Sequence, residues 1–167
     1  ADAATTSRSV VESDIWKLAD DTLYFFNAYR GLQVIDVHNP AAPVLRGTFN
    51  LPAAGEQMYL LPGGRVVLLA RDGCNWWGTD AQSQIIILDT VSPTGNPVEL
   101  ARVPVKGTIQ ESRMVGTALY VASQTYRQIP VPPTPGKPDS TASTQWEWGT
   151  IVTSFDLADP AKPVAKS

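Results

Sequence analysis

One pattern of residues recurs three times along this 167-residue chain, and a chain built from recurring units has few folds open to it. The clearest copy is GLQVIDVHNPAAPVLRGTF, from Gly31 to Phe49. It reads as a strand ending at Asp36, a tight turn through Asn39-Pro40, and a second strand after Pro43. The pattern returns as SQIIILDTVSPTGNPVELARVPV, from Ser83 to Val105, and as GTIVTSFDLADPAKPVAKS, from Gly149 onward. Asp36, Asp89 and Asp156 close the first strand of each copy, and Pro43, Pro97 and Pro163 open the second.

A second repeated pair precedes each copy. Glu12-Ser13-Asp14-Ile15 leads through an Asp20-Asp21 turn into LYFFNAY. Glu56-Gln57-Met58 leads through Pro62-Gly63-Gly64 into RVVLLA, and Glu111-Ser112-Arg113-Met114 leads through Gly116-Thr117-Ala118 into LYVAS. Each unit therefore carries four strands, a to d. Strands b and c are expected near 23–29 and 32–37, 65–70 and 84–89, and 119–124 and 150–156. Their near-continuous apolar runs suit strands covered on both faces. A four-stranded unit of about 40–50 residues is the blade of a β-propeller. The expected fold is all-β, with three four-stranded antiparallel blades over about 12–52, 56–106 and 111–167 in a single domain. Closed propellers have about four to eight blades, so three imply a partial propeller or a half-ring. The segment Thr5–Val11 stands where a d strand belongs and can supply a closing strand to the third blade of another copy.

The units differ mainly between strands b and c: a short turn at Arg30-Gly31, then DGCNWWGTDA, then QIPVPPTPGKPDSTASTQWEW. Insertions at one loop type fall on one face of a repeat fold, often the binding face.

The string GLQVIDVHNPAAPVLRGTF resembles the LVIVD-type repeat of bacterial surface and secreted propellers. QESRMVGTALYVAS and the later TIVTSFDL resemble the secreted bacterial β-propeller domain distantly related to WD40 repeats. These likenesses span nearly the whole chain and are structural. They imply a secreted, periplasmic or cell-surface location and a scaffold role, and they carry over no enzymatic residues.

Composition narrows the function further. The net charge is -3, without a run of lysine or arginine, which argues against a nucleic-acid partner. No apolar run approaches the roughly 18 residues of a membrane-crossing helix. The single cysteine, Cys74, excludes an internal disulfide and a cysteine-cluster metal site. With Arg71 the only cation near it in its loop, Cys74 reads as an inert thiol.

Two groups of residues are candidate sites. Trp76, Trp77, Trp146 and Trp148, with Tyr126 nearby, fall in the b–c insertions, where exposed rings suit a glycan or a protein partner. The structural alternative is that the loops fold back and bury these rings. Trp16 is assigned to a core strand. Glu12, Glu56 and Glu111 hold matching places at the start of the a strands, towards one mouth of a central channel. Such a ring can hold a hard cation such as calcium through oxygen ligands, or the carboxylates can simply accept hydrogen bonds between blades. No other cofactor is expected. Asp72, Asn75 and Asp80 do not match the spacing of a calcium loop and read as turn residues. His38, in the turn after strand c, lies on the face opposite the glutamates, away from any Ser-His-Asp arrangement with the long loops.

The function expected from sequence is a non-catalytic extracytoplasmic scaffold that binds protein or glycan through its b–c loop face. One alternative is a hydrolase using two carboxylates at the channel mouth, which needs a defined separation and a raised pKa. Another is a purely structural part of a larger propeller protein. A homodimer completing a six-bladed ring follows from the blade number.

Overall fold

A computed structural model describes residues 9–27, 29–51, 54–71, 83–93, 95–132 and 143–166, without the side chains of 54–56. Among these residues there are thirteen strands and no helix. β2 (Trp16–Ala19), β3 (Thr22–Asn27), β4 (Gly31–Asp36) and β5 (Val44–Phe49) form the first sheet. β6 (Ala54–Leu61), β7 (Arg65–Arg71), β8 (Ser83–Asp89) and β9 (Val98–Val105) form the second. β10 (Thr108–Val115), β11 (Ala118–Val131), β12 (Ser143–Asp156) and β13 (Val164–Lys166) form the third, where β1 (Val10–Glu12) adds a fifth strand beside β10. Every strand pairing is antiparallel, and every one but that of β1 with β10 joins chain neighbours.

The recurring aspartates explain why each sheet turns where it does. Asp36, Asp89 and Asp156 each accept, through Oδ1, the backbone N–H two residues on, at 2.8, 2.9 and 3.0 Å. A side chain that imitates a backbone turn in this way ends the strand. The same turn is then tied to the a–b turn of its own sheet. Val37, Thr90 and Leu157 donate backbone N–H groups to the carbonyls of Asp21, Gly64 and Thr117, at 2.8, 3.0 and 2.9 Å. Gly31 opens β4 with φ at +73°, and a Cβ there would lie 2.0 Å from the Phe49 carbonyl oxygen. Only glycine fits that approach.

The three sheets stack face to face, and the middle one is covered on both sides. Alternation along β7 and β8 sends Val67, Leu69, Ile85 and Ile87 towards the third sheet, where they pack with Leu119, Val121 and Phe155. Val66, Leu68, Ile86 and Leu88 point the other way, onto Tyr24, Phe26, Leu32 and Val34 of the first sheet. This is the physical meaning of the continuous apolar runs: period-two alternation with both faces buried. The stack is open, because the outer faces of the first and third sheets have no sheet against them among the described residues. Trp16, expected in a core strand, is 51% exposed on the first of these faces, and Val152 is 63% exposed on the second. Trp16 pairs with Phe25, and neither belongs to the buried clusters that join the sheets.

The b and c strands lie close to their expected positions, with one difference. β11 and β12 continue well beyond the core, so 125–131 and 143–149 form a ribbon where a loop was expected. The first a strand also differs. Glu12–Ile15 was expected to begin it, but β2 starts at Trp16. Val10–Glu12 pairs instead with β10, on the edge of the third sheet opposite β13 and within the same chain. Asp14 then bridges to Met58 of β6, with N–O distances of 3.4 and 3.0 Å, before the chain enters the first sheet. Residues 10–19 thus touch all three sheets in turn, as a strap across their first strands. Thr5–Arg8 lies outside the described residues.

Candidate functional site

The ribbon is built by an unbroken register. Ala118 pairs with Asp156, and the pairing continues without a shift to Val131 and Ser143. Threonine, tyrosine, tryptophan and isoleucine supply its strand propensity. Pro130 is tolerated because β10 no longer covers β11 beyond Gln124. Alternation places Tyr126, Trp146 and Trp148 on one side, continuous with Tyr120 and Val152 on the outer face of the third sheet. Arg127 and Glu147, directly opposite each other, take the other side.

The Tyr126 ring packs against both tryptophans. Tyr126 lies 5.5 Å from Trp146 in an edge-on arrangement at 64°, and 5.2 Å from Trp148, tilted by 44°. Cross-strand aromatic pairs of this kind stabilise a hairpin, and a two-stranded ribbon standing alone needs them. The cluster nevertheless remains accessible: Trp146 is 46% and Trp148 63% exposed. The fold-back alternative therefore does not describe these two rings. On the reverse side, Arg127 donates from Nε and Nη2 to Glu147 Oε2, both at 2.6 Å. A cleft of about 360 Å³ beside the ribbon is lined by Lys106, Arg127, Glu147 and residues of the two strands at Thr125, Tyr126, Trp148 and Gly149. Trp76 and Trp77, with Asp72, Cys74, Asn75 and Asp80, lie outside the described residues.

The glutamates meet in a way the sequence did not suggest. Glu12 pairs across β1–β10 with Arg113, whose Nη2 is 3.4 Å from Glu12 Oε1. Nη1 of the same guanidinium is 2.6 Å from Glu111 Oε1. Two of the three carboxylates thus converge on one arginine, and Glu56 is placed only by its backbone in β6. The Arg113 hydrogen bond, helped by the Ser112 N–H, holds the Glu111 carboxyl below its ordinary range. A general acid needs the opposite shift. The metal reading of this ring finds a guanidinium between the two carboxylates. Among the described residues no group of three or more His, Cys, Asp or Glu side chains is arranged to hold a metal ion.

Two polar features went unread in the sequence. Ser112 is buried between sheets, 2.8 Å from the Tyr59 hydroxyl and donating to Gln57 Oε1 at 3.0 Å. A lone serine in a strand carries no pattern that announces such a network. At the opposite end, a cleft of about 610 Å³ between the first two sheets is lined by Asp21, Tyr24, Asp36, His38, Arg46 and Thr90, among others. His38 Nδ1 lies 2.8 Å from Asp21 Oδ2, and Arg46 pairs with Asp36. The Asp21 hydrogen bond raises the His38 pKa above its ordinary value. His38 can hold a proton there, but its partner comes from a turn 17 residues away, which only folding brings close.

No protein-family model matches the chain, and no curated protein sequence is similar to it. Fold and site together define an all-β protein of three stacked antiparallel sheets from which an aromatic ribbon projects.

Proposed function

We propose that this chain is an arc of a secreted β-propeller and acts as a non-catalytic scaffold, binding a protein or a glycan through the β11–β12 ribbon. The observation that carries the reading is the pair Trp146 and Trp148, large and exposed on an arm that has no role in the buried core. Exposed aromatic groups of this size are the side chains that anchor partners. Consecutive stacked four-stranded meanders, joined by matching turns, support the propeller arc and the LVIVD-like resemblance, and with them an extracytoplasmic location. The test is the double substitution Trp146→Ala, Trp148→Ala, compared with the parent on a glycan array and in pull-down from cell-envelope extract. Each anchoring ring is worth about 1–3 kcal/mol, so binding should fall by more than tenfold. Unchanged binding by a folded double variant refutes the role.

A specific observation also favours self-association. The outer faces of the first and third sheets are exposed and partly apolar, through Trp16, Leu18 and Leu45 on one and Tyr120, Val152 and Val164 on the other. Two such arcs about a twofold axis would bury both faces in a six-bladed ring.

A further inference from the structure

The second and third sheets meet in a core that is apolar at its centre and polar at the end where β7 stops. Arg71, the last residue of β7, alternates with Val67 and Leu69 and so faces the third sheet. There a cavity of about 120 Å³ is lined by Gln57, Leu69, Arg71, Ile109 and Gln110. Leu69 and Ile109 are buried, Gln57 and Arg71 half-buried and Gln110 exposed, so the cavity is closed inward and reaches the surface at Gln110. A regular strand sends consecutive side chains to opposite faces. Ile109 and Gln110 line the same cavity because the register of β10 with β11 shifts between Ile109 and Glu111. The register of β6 with β7 shifts likewise between Ala54 and Gln57. Bulges re-aim side chains and recur beside functional sites.

The hydrogen-bonding capacity of this lining is one-sided. No carboxylate lines the cavity, and Arg71 makes no ion pair among the described residues. Glu111, next to Gln110 in the chain, is held by Arg113. Ser112 donates to Gln57 Oε1 at 3.0 Å and lies 2.8 Å from the buried Tyr59 hydroxyl. The acceptor of the Gln57 amide is thus occupied, and its Nε2 donors remain. Gln110 Nε2 makes a long contact, 3.5 Å, with the Thr108 carbonyl. A half-buried guanidinium flanked by amide donors and no acid favours an anion.

We infer that this cavity binds a small monocarboxylate, its carboxylate paired with Arg71 and hydrogen-bonded by the Gln57 and Gln110 amides. One cation matches one negative charge, and a planar guanidinium matches a planar carboxylate. The volume corresponds to about four water molecules at roughly 30 Å³ each, which suits an acid of acetate or lactate size. All five lining residues belong to β6, β7 and β10, between two sheets that already face each other, and the aromatic side of the ribbon has no part in the site.

The experiment titrates the full chain with acetate and follows the side-chain amides of Gln57 and Gln110 and the Arg71 Nε–H by NMR. Acetamide, of the same shape without the charge, and inorganic phosphate serve as comparisons. Acetate should shift all three signals saturably, and acetamide should leave them in place. Arg71→Gln should weaken acetate binding by about tenfold or more, the loss expected for a charge-assisted pair. Gln110→Ala, at an exposed position, should weaken it by a smaller factor while β7 and β8 amides exchange as in the parent. Shifts that grow linearly without saturating, an equal response to acetamide, or unchanged binding by both variants overturns the proposal. Phosphate binding tighter than acetate assigns the cavity to a multiply charged oxyanion and overturns the monocarboxylate. The Trp146→Ala, Trp148→Ala variant should bind acetate as the parent does, whatever becomes of its array or pull-down binding. Lost acetate binding in that variant overturns a site separate from the ribbon.

Discussion

His38 and Asp21 form an exposed pair whose geometry makes a titration prediction. The carboxylate beside it favours the imidazolium, so the folded-state pKa lies above the ordinary value. A raised pKa means that the pair contributes stability below the unfolded-state value and loses it as pH rises through the folded-state value. The NMR titration midpoint of His38 should therefore exceed 6.5 and fall in Asp21→Asn; an equal midpoint in both proteins would show that the pair does not form in solution. Gly31 makes a different demand at the same scale. Its φ of +73° costs a residue with a side chain about 1–2 kcal/mol, and the 2.0 Å approach to the Phe49 carbonyl adds a clash. Gly31→Ala should lower the urea midpoint accordingly, whereas Gly116→Ala, with open space around it, should cost only the conformational part.

The ribbon is the element whose stability is most separable from the rest. It has no sheet packed on either face beyond Gln124 among the described residues, and its side chains from Ser143 to Thr150 are all exposed. Local opening is thus expected to need much less energy than global unfolding. Tyr126 holds the two tryptophans together, and each aromatic pair is worth about 0.5–1.5 kcal/mol beyond its buried area. Tyr126→Ala should speed amide exchange in 127–131 and 143–148 while leaving β7 and β8 unchanged. A uniform increase across both regions would mean that the ribbon and the stacked sheets unfold as one unit.

At the level of the whole molecule, the open stack predicts its own completion. Light scattering across a concentration series should show a dimer, and Val152→Lys, which places a charge on the outer face of the third sheet, should return it to monomer. A parent protein that stays monomeric throughout would exclude the six-bladed ring. Lysine at position 152 should leave the monomer's own stability within about 0.5 kcal/mol, because Val152 is 63% exposed and outside both buried clusters.

Strands β3, β4, β7 and β8 and the Asp-ended turns were legible in the residues themselves, because a run such as IIIL or VVLLA and a following Asp-x-x-x-Pro turn are local signals. They determined an all-β chain of three similar four-stranded units, and their double-sided apolarity determined that the middle unit would be covered on both faces. Other features depended on partners distant in the chain. Whether 125–131 and 143–149 were loop or ribbon was set by the pairing of Gln128 with Trp146 and Val131 with Ser143, and only that pairing put Tyr126 beside both tryptophans. The glutamate motif misplaced the first a strand because Glu12 finds its partner, Arg113, about a hundred residues away in β10. Alternation and turn chemistry act over a few residues and can be read along the chain. The choice of which strand edge, ring or charge lies opposite belongs to contacts that exist only once the sheets have stacked.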